Sequence, residues 1–326
     1  MSVALFALGG TIAMSGHQGG VVARLTAADL TAGVPGLAEL GVPVHVHDVD
    51  AVPSADLTFA RILDVVDRAA AAVRGGASGV VVTQGTDTLE ETAFLADLVW
   101  PHAQPLVFTG AMRNPTLAGA DGPANVLAAV EVAASPAARG LGVLVAFDDD
   151  IHAARWVRKT HSTSTATFAS PNAGPIGHVV EGRVRVLAAP PPRTPLDRPD
   201  PERLATTRVA LHTMTLDDDG AALDGLADTH QGLVVAAYGV GHVPSALAAP
   251  LGTLAGRIPV VLTSRTGAGP VLSHTYGAVG SETDLLRRGL LNGGLLHPYQ
   301  ARVLLRTLLA ADADRDRIAR VFAERA

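Results

Sequence analysis

The stretch GVVVTQGTDTLEETAFLADLVW, residues 79–100, contains one complete strand, turn and helix. Its opening run is mostly apolar and β-branched, which predicts a buried strand at 79–84. Gly85 permits a tight turn, and residues 89–100 are predicted to form a helix. A strand that is apolar on both faces is typical of a parallel sheet covered by helices on either side, so this stretch indicates an α/β fold.

The same alternation of strands and helices extends over residues 1–190. Further strands are predicted at 3–8, 42–50, 105–111 and 142–147, and helices at 61–74 and 121–134. We therefore expect a larger N-terminal domain, residues 1–190, in which helices flank a parallel or mixed sheet.

A segment rich in proline and charge, APPPRTPLDRPDPE (189–202), interrupts this pattern and predicts a linker at 191–205. Beyond it, strands are predicted at 209–214, 232–238 and 259–264, and helices at 286–291 and 300–311. These elements predict a smaller C-terminal α/β domain, residues 206–326. Two domains also agree with the length of the chain, 326 residues.

The composition excludes several classes of protein. A net charge of −6 and a pI of about 6.0 argue against a nucleic-acid partner or an anionic membrane surface. The absence of cysteine excludes disulfides, thiolate chemistry and Cys-ligated metals. The N-terminal run MSVALFALGGTIAM has no basic region and is too short to cross a membrane, so a cytoplasmic location is expected.

Three polar loops follow predicted strands at the end where open α/β sheets place ligands. They are LGGTIAM (8–14), TQGTDTLEETAF (83–94) and TGAMRNPTLAGADGPAN (109–125). Part of the second loop has a structural interpretation, because Thr88 and Glu91 match a capping box and Asp87 lies at a helix start. Helix capping does not explain Gly85 and Thr86.

Lys159 is the only lysine among the 25 basic residues of the chain. It is either a surface lysine in a chain that uses arginine or a functional amine, since only lysine can lose its proton near neutral pH. A threonine hydroxyl needs a base before it can attack a carbonyl. Thr, Asp and Lys could form a relay analogous to Ser-His-Asp, although spacing alone cannot place them in contact.

Two segments offer weaker evidence for a metal. His45 and His47 alternate on one predicted strand, and DDDIHAAR (148–155) is strongly acidic. No carboxylate–histidine cluster accompanies the histidines, and the acidic stretch is typical of a solvated loop or a helix cap. We expect no metal and no cofactor.

Five segments resemble the bacterial-type L-asparaginases of the asparaginase/glutaminase family. They are LGGTIA, VVTQGTDTLEETAF, TGAMRNPTLAGADGPANV, RKTHSTSTATFASPNAGPIGHV and LHPYQARVLL, in this order, and the match runs from about residue 3 to residue 311. The resemblance implies a fold of two α/β domains. It also implies hydrolysis of L-asparagine to L-aspartate and ammonia through an acyl-enzyme.

The resemblance also assigns roles to residues. Thr11, Thr86, Asp87 and Lys159 match the family's catalytic set. We expect Thr11 to be the nucleophile, with Thr86 and Lys159 activating the attack or the water.

For the substrate, Ser54 matches the residue that holds the α-carboxylate, and Asp87 is expected to bind the α-ammonium group. Glu282 falls where the family places a residue that reaches a neighbouring subunit's site, which implies a homo-oligomer, a dimer or tetramer, with the site at a subunit interface. The expected substrate-binding residues are Gly10, Ser54, Gly85, Thr86, Asp87, Ala111 and Glu282.

The chain departs from the family pattern at four places. Ala55 stands where the family usually has Gln, Gln84 where it has His, and His242 where many relatives have Asn. Residues 14–24 contain no Tyr, although the family commonly has one there. Two alternatives therefore stay open. One is a catalytically weak homologue that senses an amino acid, and the other is a glutaminase or amidotransferase-type relative.

Overall fold

The computed structural model describes residues 1–15, 22–23, 26–49 and 51–325. They form two compact units, Met1–Leu196 and Asp197–Ala326. The division falls inside the predicted linker, 191–205. The predicted fold class, a larger N-terminal sheet domain and a smaller C-terminal α/β domain, is confirmed.

The larger unit contains one main sheet and two short ribbons. Its strands are β1 Val3–Ala7, β2 Met14–Ser15, β3 Val22–Ala23, β4 Val44–Asp48, β5 Gly79–Thr83, β6 Leu106–Thr109, β7 Val143–Phe147, β8 Asp150–Ala153, β9 Arg158–Lys159, β10 Phe168–Ala169, β11 Gly177–Val180 and β12 Arg183–Val186. Its helices are α1 Ala27–Ala32, α2 Phe59–Arg74, α3 Leu89–Val99 and α4 Gly122–Ala134. The main sheet has the order β12-β11-β8-β7-β6-β5-β1-β4, while β2–β3 and β9–β10 pair separately.

The central strands explain the apolar runs in the sequence. Every residue of β1, β5, β6 and β7 is buried. The five neighbouring strands β4, β1, β5, β6 and β7 run parallel. The edge strand β4 is half-buried or exposed throughout, because only one side of it is covered by another strand. Helices α3 and α4 are buried on nearly all sides and pack on the sheet.

The sheet is mixed because β8, β11 and β12 run antiparallel. Asp148 and Asp149 both have left-handed backbone angles, with φ of 53° and 62°, and they close the tight turn between β7 and β8. Glu181 and Gly182, with φ of 52° and 69°, do the same between β11 and β12. Two-residue turns of this hand suit the twist of a hairpin. The acidic stretch 148–155 is therefore a turn and a strand.

The Pro-rich segment after the main sheet is fastened to the larger unit at its start. Arg193 Nη2 lies 2.7 Å from the buried carboxylate of Asp97. The N–H of Leu196 donates to the carbonyl of Leu98 at 2.7 Å. Residues 193–196 are thus held against α3.

The smaller unit has a four-stranded parallel sheet in the order β13-β14-β15-β16. The strands are β13 Val209–Thr213, β14 Gly232–Ala237, β15 Val260–Ser264 and β16 Leu291–Asn292. The helices are α5 Pro201–Thr206, α6 Leu226–Thr229, α7 Ser245–Arg257, α8 Glu282–Arg287, α9 Pro298–Ala310 and α10 Arg315–Arg325.

One helix of the smaller unit lies elsewhere than predicted. The predicted helix at 286–291 is wrong for most of its length, because α8 ends at Arg287. Gly289, with φ of +96°, then reverses the chain, and Leu291 pairs with Val261 of β15. Among the helices of the described residues, none is long and apolar enough to cross a bilayer.

Candidate active site

Three loops leave the main sheet side by side. In the sheet register, the last residues of β1, β5 and β6 are Ala7, Thr83 and Thr109, which are neighbours across the strands. The polar segments 8–14, 83–94 and 109–125 therefore start at the same edge. This edge is the carboxyl end of parallel strands, where α/β sheets form ligand sites.

A close contact between two backbones brings the first two loops together. A Cβ atom at Gly10, whose φ is +88°, would lie 2.2 Å from the backbone N of Gly85. Only glycine fits this contact, since the obstacle is main chain and cannot rotate away. Thr11 and Thr86 each follow one of these glycines directly. Thr11 begins a 3-10 turn and is half-buried, and Thr86 is buried.

Lys159 reaches this edge from a distant part of the chain. Its Nζ donates to Thr86 Oγ1 at 2.9 Å, across 73 positions of sequence, and to Asp87 Oδ1 at 2.8 Å. Its side chain is 15% exposed, whereas that of Asp87 is 71% exposed. The short ribbon β9–β10 carries the lysine to its place. Thr, Lys and Asp thus stand in one hydrogen-bonded row, with the carboxylate at the open end.

Ser54 fastens another segment to the same turn. It is buried, its Oγ accepts the N–H of Asp87 at 3.2 Å, and its carbonyl accepts the Thr88 hydroxyl at 2.9 Å. The predicted capping box of Thr88 and Glu91 is therefore wrong. Thr88 is the N-cap residue of α3, but its hydroxyl bonds to Ser54 and makes no capping bond to the helix.

Gln84, one of the departures from the family pattern, has a bracing role. Its side chain is fully buried. Its amide N–H donates to the carbonyl of Gly85 at 3.1 Å, and its Oε1 accepts the Thr92 hydroxyl at 2.8 Å. The glutamine thus ties the turn after β5 to helix α3. Ala55, a second departure, is exposed and adds no polar contact.

The third loop is braced by residues that the sequence did not single out. The carboxylate of Asp121 accepts both backbone N–H groups of residues 112–113, at distances of 2.8–3.1 Å. The side chain of Asn125 donates to the carbonyl of Gly110 at 3.0 Å. Ala111 is buried within this braced segment. The loop is consequently held in place next to the Thr86 methyl group, which a Cβ at Gly110 would meet at 3.3 Å.

An open pocket of about 370 Å³ lies in front of the lysine. It is lined by Asp87, Lys159, Thr160, His161 and Ser162. The Nδ1 atom of His161 accepts two backbone N–H groups, from Thr163 and Ser164, both at 3.0 Å. These bonds leave the proton of the neutral ring on Nε2. A small polar ligand in this pocket would contact the exposed side of the lysine–aspartate pair.

Glu282 belongs to the smaller unit and is fully buried at the start of α8. Burial acts to raise its pKa, but hydrogen bonds from the N–H groups of Tyr276 and Thr275 outweigh it and leave the pKa below its ordinary value. These two bonds go to Oε1 of Glu282, and His242 Nε2 lies 3.2 Å from Oε2 of the same carboxylate. The predicted contact of Glu282 with a neighbouring subunit's site stays a prediction.

Within the described part of the chain, no three His, Asp or Glu side chains are grouped so that they could hold a metal ion. His45 and His47 lie on the edge strand β4, and the ring of His47 stacks on Phe6 at 4.8 Å. The tyrosine-free segment 14–24 lies largely outside the described residues.

Comparisons with known proteins cover nearly the whole chain. The family model "Asparaginase, N-terminal" matches residues 2–192, and "Glutaminase/Asparaginase C-terminal domain" matches residues 208–322. The "Probable L-asparaginase" of Deinococcus radiodurans is 37% identical over 322 residues, covering 94% of this chain and 96% of that protein. The "L-asparaginase" of Bacillus licheniformis is 33% identical over 319 residues and 95% of both chains.

A solved structure is also similar. It is titled "Probable Cytoplasmic L-asparaginase from Campylobacter jejuni", has 30% sequence identity and a TM-score of 0.87, and the match covers 99% of both chains.

Proposed function

The chain belongs to the bacterial-type L-asparaginase family, and from this premise we propose that it hydrolyses the side-chain amide of L-asparagine to L-aspartate and ammonia. Family membership rests on both family models and on relatives that are at least 30% identical over almost the full length. The main observation that supports a site for this reaction is the hydrogen-bonded row of Lys159, Thr86 and Asp87, which lies beside an open pocket.

In the proposed mechanism, Thr11 Oγ attacks the amide carbon and its proton passes to the Thr86–Lys159 pair. The tetrahedral intermediate is stabilised by backbone N–H groups near Thr11 or Thr86, and such donors are typically worth about 3–4 kcal/mol each. The C–N bond then breaks, the nitrogen takes the proton and ammonia leaves. Water attacks the resulting threonyl ester with help from the same pair, which frees aspartate and restores Thr11.

The binding part of the proposal assigns the charged ends of the amino acid. The exposed carboxylate of Asp87 pairs with the α-ammonium group, and the Ser54 hydroxyl donates to the α-carboxylate. Gly10, Gly85 and Ala111 let the backbone come close to the substrate, because glycine has no side chain and that of alanine is small. The proposal includes a homo-oligomer, either a dimer or a tetramer. Glu282 is fully buried within its own unit, so its side chain would have to turn outward on assembly to reach a neighbouring subunit's site. Analytical ultracentrifugation tests the assembly.

Glutamine is the second candidate substrate, because the C-terminal family model is described as glutaminase/asparaginase. A cytoplasmic location belongs to the proposal as well. The Campylobacter jejuni protein bears that word in its title, and cell fractionation tests it for this chain.

The test is ammonia release from L-asparagine and from L-glutamine by the wild type, by Lys159→Met and by Arg68→Met. Arg68 is a matched control, since it is a half-exposed cation paired with Asp64 on the surface of α2. We expect release from asparagine that Lys159→Met reduces by about 10²–10⁴-fold, the usual contribution of a positioned base, while the control keeps wild-type turnover. Equal turnover in Lys159→Met would overturn the mechanism. No release from either amide would indicate an amino-acid sensor or an enzyme for a different amide substrate.

A further inference from the structure

Glu90 is a buried carboxyl directly behind the candidate site, and the proposed mechanism does not use it. It is the second residue of α3, and its side chain is 6% exposed. An acidic residue at a helix start usually interacts with the helix dipole at the protein surface. Burial to this degree is costly for a charge unless partners compensate for it, so the partners of Glu90 indicate its role.

Both partners of Glu90 belong to the two-residue strand that carries the lysine. Arg158 Nε lies 3.7 Å from Glu90 Oε2. The backbone N–H of Lys159 is a hydrogen-bond donor to the same carboxyl. Strand β9 consists only of these two residues, and its single strand partner is the equally short β10. So short a ribbon needs other contacts to keep its position.

Lys159 is consequently held at two points by one rigid unit. Its backbone N–H is bonded by Glu90, and its Nζ by Thr86 and Asp87. All three partners lie within five consecutive residues at the junction of β5 and α3. A change at Glu90 would therefore move the base of the lysine relative to the threonine that its tip must reach.

We propose that Glu90 is a positioning residue whose carboxylate fixes β9 so that the amine of Lys159 stays in hydrogen-bonding distance of Thr86. Its effect on turnover rests on the proposed function. Its effect on the placement of Lys159 does not.

The charge of Glu90 changes near neutral pH. Burial raises its pKa to about 7, against the opposing effect of Arg158, and Glu91 on the same helix raises it further. Of the strands packed on α3, β6 and β7 contain no ionisable residue. The charged residues of α2, which also packs there, are exposed or half-exposed and are Arg61, Asp64, Asp67, Arg68 and Arg74. Protonation removes the pairing with Arg158, so the lysine is held less firmly in acid.

The test compares Glu90→Gln with Glu91→Gln, which removes a neighbouring and less buried charge from the same helix turn. Because Lys159 is the only lysine, a trace amount of acetic anhydride marks just this side chain and the N-terminal amine. Mass spectrometry of the peptide that contains Lys159 then gives its reactivity at each pH. We expect severalfold faster labelling of Lys159 in Glu90→Gln and no change in Glu91→Gln.

Turnover and stability complete the test. For Glu90→Gln we expect kcat to fall about tenfold with KM near the wild-type value, because a lysine displaced by a fraction of an ångström still leaves the substrate contacts intact. The decline of wild-type kcat below about pH 7 should be missing in this variant. Its melting temperature at pH 8 should rise, since a buried charge is gone. A purely structural role would lower stability and turnover together.

Labelling and melting temperature in Glu90→Gln that match those of Glu91→Gln would overturn the inference, whether or not the wild type releases ammonia. Absence of ammonia release together with the expected labelling would instead count against the proposed function alone. If Glu90→Gln does not fold, the double variant with Arg158→Met, which leaves neither charge unpaired, replaces it under the same expectations.

Discussion

The parallel strands of the two units end differently at their carboxyl edges. In the larger unit, Asp87 is 71% exposed and Lys159 lines an open pocket. In the smaller unit, the residues after the strands bond to one another. The guanidinium of Arg265 lies 4.5 Å from the centre of the Tyr238 ring and donates to the carbonyl of Met214 at 2.6 Å.

The smaller edge continues this pattern of internal bonding. The hydroxyl of Tyr238 donates to the carbonyl of Thr215, and Ser264 Oγ donates to the carbonyl of Gly239 at 2.5 Å. The position at the end of a parallel strand is common to both units. The edges differ in that the charged side chain of the smaller edge, Arg265, bonds to its own unit, whereas the carboxylate of Asp87 is mostly exposed beside an open pocket.

The largest effect should come from Thr86→Val, which keeps the shape of the open edge and removes the hydroxyl bonded to Lys159. We expect turnover of asparagine to fall about 10³-fold with little change in melting temperature. Thr263→Val is its match in the smaller unit, where the buried hydroxyl donates to the carbonyl of Val235 at 2.8 Å.

Thr263→Val should lower the free energy of unfolding by about 1 kcal/mol through the lost hydrogen bond and leave turnover unchanged. If both variants lose turnover, or neither does, the distinction between the open and the closed edge fails. Steady-state assays and thermal melts on the same preparations decide this.

A second test uses two buried groups of the larger unit whose pKa values are shifted in opposite directions. Burial lowers the pKa of His152 to about 4, so acid favours the unfolded state, in which the ring takes up a proton near its ordinary value. Burial raises the pKa of Glu90 to about 7. Acid therefore favours the folded state, in which the carboxyl takes up a proton at a higher pH than in the unfolded state. Each contribution amounts to up to about 3 kcal/mol, and over pH 4.5–6.5 they offset one another.

In Glu90→Gln, the effect of His152 on the pH dependence of stability should no longer be offset. We expect its free energy of unfolding, relative to that of the wild type, to fall by up to about 3 kcal/mol as the pH drops from about 7 to 4.5. His152→Gln should give the reverse slope. Urea unfolding at half-unit pH steps measures both differences. Parallel curves for all three proteins would show that the two groups do not titrate in this range.

The smallest effect is expected at the closed edge. Arg265→Met removes a contact of a cation with an aromatic ring and a hydrogen bond at a surface position, which together should cost about 1 kcal/mol of stability. Turnover should stay within about twofold of the wild type, since such surface changes are usually mild. A large loss of turnover without loss of stability would mean that this edge takes part in the reaction.

The central strands could be predicted from the sequence because both of their faces are buried and apolar runs are a direct signal of that environment. The hairpin after β7 is not predicted by the sequence, which favours a solvated loop or a helix cap there, because Asp148 and Asp149 adopt the left-handed conformation without a glycine that would signal a tight turn. Helix α7 was missed in a stretch that contains Pro250, a residue that ordinarily ends helices.

For the site, the sequence predicted the types of residue at the strand ends, and the resemblance predicted their roles. It could not predict that Lys159 touches Thr86, because a two-residue strand carries almost no periodic signal and the contact spans 73 positions. Glu90 was hidden for another reason. Near a helix start, its carboxylate has the appearance of an ordinary partner for the helix dipole.

The contact between Gly10 and Gly85 has a consequence for inheritance. Every amino-acid change that a single nucleotide can make in a glycine codon introduces a Cβ, and at Gly10 that atom would lie 2.2 Å from the Gly85 nitrogen and 2.4 Å from its Cα. The obstacle is backbone, so no second mutation at position 85 can make room for it. Position 10 is therefore expected to remain glycine in every functional descendant of this gene.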